Sequence, residues 1–212
     1  MVQEQGQQGR IRTISLSDLI SKDNAEEDIQ RLMELLSSFC CTQDKDIEDF
    51  LHNRAIDFEL INKSRTYLLC DDNVLCEKGK LVILGYFSLA LKVFNLREDV
   101  SNQTRKKLDG VSAKLHGEII NSVPCYLIGQ LARNFAIPDE RAISGAELIE
   151  QAFSFIHSAE TLVGGRSVLI ECHDNPKLIK FYNDNGFKEF ARIPFNDTLM
   201  VQMIRTLCGR TL

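Results

Sequence analysis

A chain of 212 residues suits one domain with a sizeable core, and 44% hydrophobic with 26% charged residues is the make-up of a soluble globular protein. Lys and Arg number 25 against 30 Asp and Glu, so the net charge of −5 gives no global footprint for nucleic acid, although a local basic face is compatible with it. The longest apolar run, Leu81 to Leu91, is broken by Gly85 and Ser88. It falls short of the ~18–20 residues that span a bilayer, which argues against a membrane partner.

Met1 to Arg10 is polar and Gln/Gly-rich, with no apolar signal core, and is expected to be a flexible lead-in. Seven cysteines, an odd number, lie mostly in apolar segments without a C-x-x-C pair. The four histidines do not fall at metal-ligand spacings. A reduced, cytoplasmic protein without a metal site is the expectation.

Ile11 to Leu16 opens the fold as a short strand. Asn24-Ala25-Glu26-Glu27 starts a helix with Ile29, Leu32, Met33, Leu35 and Leu36 on one face. Asp44 or Asp46 caps a second helix whose apolar stripe is Ile47, Phe50, Leu51, Ala55 and Phe58, and Lys63-Ser64-Arg65 ends it. Thr66 to Cys70 reads as a strand, Asp71-Asp72-Asn73 as a turn, and Leu81 to Phe94 as a long strand. The hydrophilic stretch Asn95 to Asn121 holds a helix from Ser101 to Leu108, closed by Asp109-Gly110, and a further short helix over Ser112 to Ile119. Within it, Arg105-Lys106-Lys107 reads as a solvated helix face. Val123 to Asn134 is the third long strand, with Pro124 tolerated near its start. A helix from Gly145 to Ser158, a connector Thr161 to Arg166, and a strand Ser167 to Cys172 follow. Asn175-Pro176 then starts a helix that Gly186 stops, and Phe187 to Ile193 with Leu199 to Arg205 form a hairpin around Asn196-Asp197.

The run from Asn175 through Phe181-Tyr182 to Gly186-Phe187, between two strands, resembles the C-terminal half of the GNAT N-acyltransferase fold. Gln130-Leu131-Ala132-Arg133, a loop, and then Ser144-Gly145-Ala146-Glu147-Leu148-Ile149 resemble that family's acyl-CoA element. In the family a bulged strand leads to [RQ]-x-x-G-x-[GA] at a helix start, whose free N–H groups and positive helix end take up a pyrophosphate. Two registers fit here. One sets Glu140, Ile143 and Gly145 in the three places, and the other sets Arg141, Ser144 and Ala146. Either way one glycine is missing, and Asp139-Glu140 brings negative charge. Phe50-Leu51 to Phe58, Thr66-Tyr67-Leu68-Leu69, Gly85-Tyr86-Phe87-Ser88-Leu89, and Val123-Pro124 leading into Leu127-Ile128-Gly129-Gln130-Leu131-Ala132 are similar to the branch that includes tRNA-acetylating toxins.

The resemblance implies a single GNAT domain over 11–207 with a helical insertion at about 95–121. Its fold is a mixed α/β sheet, splayed between two parallel strands and flanked by helices. It implies acetyl-CoA, or another acyl-CoA, as co-substrate and a primary amine as acceptor, on a small molecule or a macromolecule. Tyr182 would be the catalytic acid for the departing thiolate. Leu131, Ala132, Arg133, Arg141, Ser144, Gly145, Ala146, Asn175 and Phe181 would hold the co-substrate. No metal is implied. Glu171 and His173 are candidates for a base acting through water, and neither is assigned. A toxin-like activity adds tRNA and an antitoxin as partners, an inactive binding module is the other alternative, and a homodimer stays open.

Overall fold

The computed structural model describes residues 10–20, 26–196 and 198–207. Most of the expected lead-in, the helix start at Asn24-Ala25 and Asp197 of the closing turn lie outside the described residues. In chain order the elements are β1 (Ile11–Ser15), α1 (Leu16–Leu19), α2 (Glu26–Ser37), α3 (Lys45–Asp49), a π-helical segment Phe50–Arg54, α4 (Ala55–Leu60), β2 (Arg65–Asp71), α5 (Asp72–Lys78), β3 (Ile83–Asn95), α6 (Asn102–Asp109), β4 (Lys114–Leu115), β5 (Glu118–Ile119), β6 (Ser122–Arg133), α7 (Gly145–Val163), β7 (Ser167–His173), α8 (Pro176–Asp184), β8 (Lys188–Phe195) and β9 (Thr198–Thr206). Seven strands form a mixed sheet in the order β1-β2-β3-β6-β7-β9-β8. β6 and β7 run parallel, joined through α7, while β1–β2, β7–β9 and β8–β9 are antiparallel.

The described residues cluster as two compact units, one up to Ser88 together with Gln130–Ala152, the other Leu89–Gly129 with Phe153 onward. In the first, Leu16, Leu36, Phe39, Leu51, Ala55, Leu68, Ile83 and Tyr86 form the core. Tyr86 stands edge-on to Phe39 with ring centroids 5.0 Å apart. Its hydroxyl donates to the Ile47 carbonyl at 2.5 Å. Burial raises the Tyr86 pKa well above the ordinary phenol value. In the second unit Phe94, Leu108, Val123, Cys125, Leu169 and Ile204 pack together beneath α6.

Several sequence expectations are corrected. Asp71 does not begin a turn: its carboxylate accepts the Val74 N–H at 3.1 Å and caps α5, which Gly79 closes at φ 63°. Residues 112–119 are not helical. His116 (φ 50°) and Gly117 (φ 89°) both take positive φ, the conformation of a tight hairpin, and pair Lys114 with Ile119. α7 runs on to Val163, through part of the expected connector. The basic cluster on α6 is also misread at one position. Ser101 caps α6 as expected, but Arg105 is 3% exposed. Its guanidinium donates to the carbonyls of Val100 (3.0 Å), Arg97 (2.6 Å), Glu98 (3.2 Å) and Ile120. A fork of fixed donors thereby ties the two ends of the 95–121 segment together.

No helix among the described residues is long and apolar enough to cross a membrane. The six described cysteines are free thiols, and no His/Cys/Asp/Glu group among the described residues could hold a metal ion.

Candidate functional site

The residues singled out by sequence fall on both units. In the first, Leu131, Ala132 and Arg133 end β6 and Gly145 begins α7. Asn134 fixes the chain where β6 ends. It is 2% exposed and uses its whole amide: Oδ1 accepts the N–H groups of Cys40 and Ala136, both at 3.0 Å, and Nδ2 donates to Ile83 (2.8 Å) and Ser38 (3.4 Å). Its own N–H donates to the Leu84 carbonyl at 2.7 Å. Gly85 in β3 permits this approach, since a Cβ there would lie 2.8 Å from the Ala132 carbonyl oxygen.

Both arginines of this region already have acidic partners. Arg133 lies over the Phe135 ring at 4.7 Å and pairs loosely with Asp139 at 3.5 Å. Arg141 holds Asp71 at 2.7 Å. Burial pushes the Asp71 carboxyl up, but Arg141 and the N–H groups of the α5 start outweigh it and leave the pKa below the ordinary value.

The start of α7 is a capping box. The Ser144 hydroxyl accepts the Glu147 N–H at 3.2 Å, and the Glu147 carboxylate receives the Ser144 N–H at 2.7 Å and hydroxyl at 2.8 Å. These bonds hold the Glu147 carboxyl below its ordinary pKa. Gly145 and Ala146 stand at the first two helical positions, whose N–H groups have no acceptor within a helix. So two predicted residues keep donors for an anion, while Ser144 spends its own on Glu147.

In the second unit, β6 and β7 share the parallel rungs Tyr126–Val168, Leu127–Leu169 and Ile128–Ile170. β7 continues through Glu171 and Cys172 to His173, paired with β9. Asn175 caps α8 as expected, its side-chain oxygen accepting the Lys177 N–H at 2.9 Å, with Pro176 in the first turn. That bond uses the amide oxygen and leaves the NH₂ group. Tyr182 is 7% exposed and stands edge-on to both Phe181 (5.1 Å) and Phe187 (5.8 Å). Burial, with a smaller contribution from Cys172, raises its pKa. Its hydroxyl makes no hydrogen bond to a described residue. Phe181 is half-buried beside it, and Gly186 turns the chain at φ 82°.

Glu171 is held on both oxygens, by Lys92 Nζ at 2.6 Å and Gln202 Nε2 at 2.8 Å. Both of its carboxylate oxygens are therefore already occupied. His173 is exposed at the end of β7.

Sequence reasoning missed two residues. Glu147 carries an explicit signal, Ser-x-x-Glu ahead of an apolar run, which marks a capping box. Asn134 carries none for its role, because all its partners but Ala136 come from segments about fifty and ninety residues away.

No family model and no curated relative matches the chain. Solved structures do. A tyrosine-to-phenylalanine mutant of the toxin AtaT, bound to the C-terminus of the antitoxin AtaR and acetyl-CoA, is 18% identical with a TM-score of 0.60, over 93% of this chain and 94% of that one. A tyrosine-to-phenylalanine mutant of KacT is 16% identical with a TM-score of 0.61, over 92% and 95%. AtaT complexed with acetyl-methionyl-tRNAfMet is 21% identical with a TM-score of 0.58, over 90% and 93%. With the mixed seven-stranded sheet and its parallel pair, these matches give the chain the GNAT fold that the residues around Tyr182 resemble.

Proposed function

We propose that the protein is an N-acyltransferase that moves an acetyl or similar acyl group from acyl-CoA to a primary amine by direct attack. In this reading residues 11–207 act as one GNAT domain with an insertion at about 95–121, in the cytoplasm. The observation that carries it is Tyr182, a buried phenol near the end of a capped helix, whose surroundings keep the proton on its oxygen.

Acetyl-CoA supplies an activated thioester carbonyl. The N–H groups of Leu131 and Arg133 polarise that carbonyl, as donors preset before charge develops. Tyr182 gives its proton to the departing sulfur as the C–N bond forms and the C–S bond breaks; the acylated nitrogen then releases its N–H proton to water, which returns one to the phenolate. The amine enters neutral, having lost its extra proton to water. Gly145 and Ala146 at the α7 start receive the phosphates, beside Ser144, whose donors stay on Glu147, and Arg141, whose charge is shared with Asp71. Ala132, Asn175 and Phe181 steady the remainder of the co-substrate. No metal enters this reading.

A second reading assigns aminoacyl-tRNA as the acceptor and an antitoxin as the partner. It is supported by AtaT, which is complexed with acetyl-methionyl-tRNAfMet in one structure and bound to AtaR in another. The net charge of −5 predicts that any tRNA contact rests on a local basic face. Calorimetric titration with acetyl-CoA tests both readings, since a module that has lost the co-substrate gives no heat. Mass spectrometry of charged tRNA and of a panel of amines, after incubation with acetyl-CoA, then separates them. Acetyl-CoA that binds but is never consumed with any acceptor would overturn both.

A further inference from the structure

The second unit contains a cavity of about 470 Å³ that none of the roles above uses. The insertion helix α6 forms one wall, and the start of β8 with the end of β9 form the other. Its volume lies in the range of small-molecule sites, ~300–1,000 Å³. The floor is apolar: Leu108 and Ile204 belong to the core of this unit, and Phe190 stands edge-on to Phe94 at 4.9 Å.

The charges around it are one-sided. Lys107 lies in the last turn of α6 and Lys188 opens β8, and both are exposed at the cavity without an ion pair among the described residues. Arg205 lies over the Phe153 ring at 4.0 Å and donates to the Asn185 carbonyl at 2.9 Å, and it too has no acidic partner among the described residues. The acidic residue of the lining, Glu189, is taken by Arg192 at 2.8 and 3.2 Å. In a chain of net charge −5, three cations without carboxylate partners among the described residues therefore border one apolar recess.

We propose that this recess is a second ligand site, separate from acyl transfer, for a small amphipathic organic anion. The apolar body lies against Leu108, Phe190 and Ile204, and a carboxylate or sulfate head lies at Lys107, Lys188 and Arg205. Apolar burial supplies the affinity and the cations select the charge.

Octanoate and 1-octanol are the probes, titrated by calorimetry and by methyl NMR of the full chain. Octanoate is expected to bind saturably, and 1-octanol at least about threefold more weakly, because only the charge differs. In the double variant Lys107→Glu/Lys188→Glu, both positions being exposed, octanoate affinity is expected to drop about tenfold while 1-octanol is unchanged. Thr104→Trp, which fills the recess from α6, is expected to abolish both. Absence of saturation, equal affinity for the two probes, octanoate binding indifferent to the double variant, or binding that survives Thr104→Trp would each overturn the proposal.

Discussion

The Glu147 carboxylate turns back onto the Ser144 N–H at 2.7 Å, so the helix start assigned to a phosphate already carries an acid of its own. An anion arriving at Gly145 and Ala146 meets the favourable helix end and the unfavourable carboxylate together. Glu147→Gln keeps the capping geometry and removes the charge. Acetyl-CoA affinity measured by calorimetry is expected to rise roughly three- to tenfold, the scale of one close charge at a solvent-exposed site. Unchanged or weaker binding would move the phosphate site away from α7.

Tyr182→Phe removes the proton donor and keeps the ring between Phe181 and Phe187. Turnover is expected to fall ~100-fold or more, with acetyl-CoA affinity nearly constant. Burial raises the phenol pKa, so the wild-type rate should show no alkaline loss from this group below pH ~10. Equal turnover in the two proteins would remove Tyr182 from the mechanism.

Asn134→Ala strips four hydrogen bonds from a side chain that is 2% exposed, and leaves the partner N–H and C=O groups without it. A loss of about 3 kcal/mol is expected, because orphaned buried groups cost ~1–3 kcal/mol each and some will find water. For a chain of this size that is a melting temperature lower by roughly 6–12 °C. A change under ~2 °C in a thermal scan would show that the loop after β6 is held elsewhere.

Glu48 receives the Lys45 ammonium at 2.7 Å and the Cys41 N–H at 2.7 Å, which together lower its pKa to about 2. Because the folded value lies below the ordinary 4.5, its contribution to stability is complete above that value and is lost as pH falls towards about 2. Denaturant unfolding of Glu48→Gln should therefore show a deficit against wild type at pH 6 that shrinks by pH 2.5. A deficit independent of pH would mean that the ionised pair contributes nothing.

The strands and capped helices were legible because their signals are local. Ser101 and Asn175 announce their helices by side chains that reach no further than the first turn. Gly110 closes α6 at φ 98° as its place after Asp109 suggests. What failed to show was what distance decides. Arg105 reads as one of three solvated cations, yet its partners Arg97 and Ile120 lie eight and fifteen residues away and draw it inside. The candidate site divides the same way. Asn175, Tyr182 and Gly145 stand in the positions expected of them along their helices, whereas the acids that occupy Arg133 and Arg141 depend on loop and α5 geometry that no spacing encodes.

The π-helical turn Phe50–Arg54 holds about one residue more than an α-helical turn, and buried positions fall at Leu51, Ala55 and Glu59. Deleting a single residue there would rotate everything downstream by about 100° around the axis. Glu59, which now accepts Arg65 at 2.7 Å and the Thr66 N–H at 2.9 Å, would swing clear of both. The widened turn thus acts as a phasing insert: chain length at this point sets the face from which Glu59 meets the start of β2.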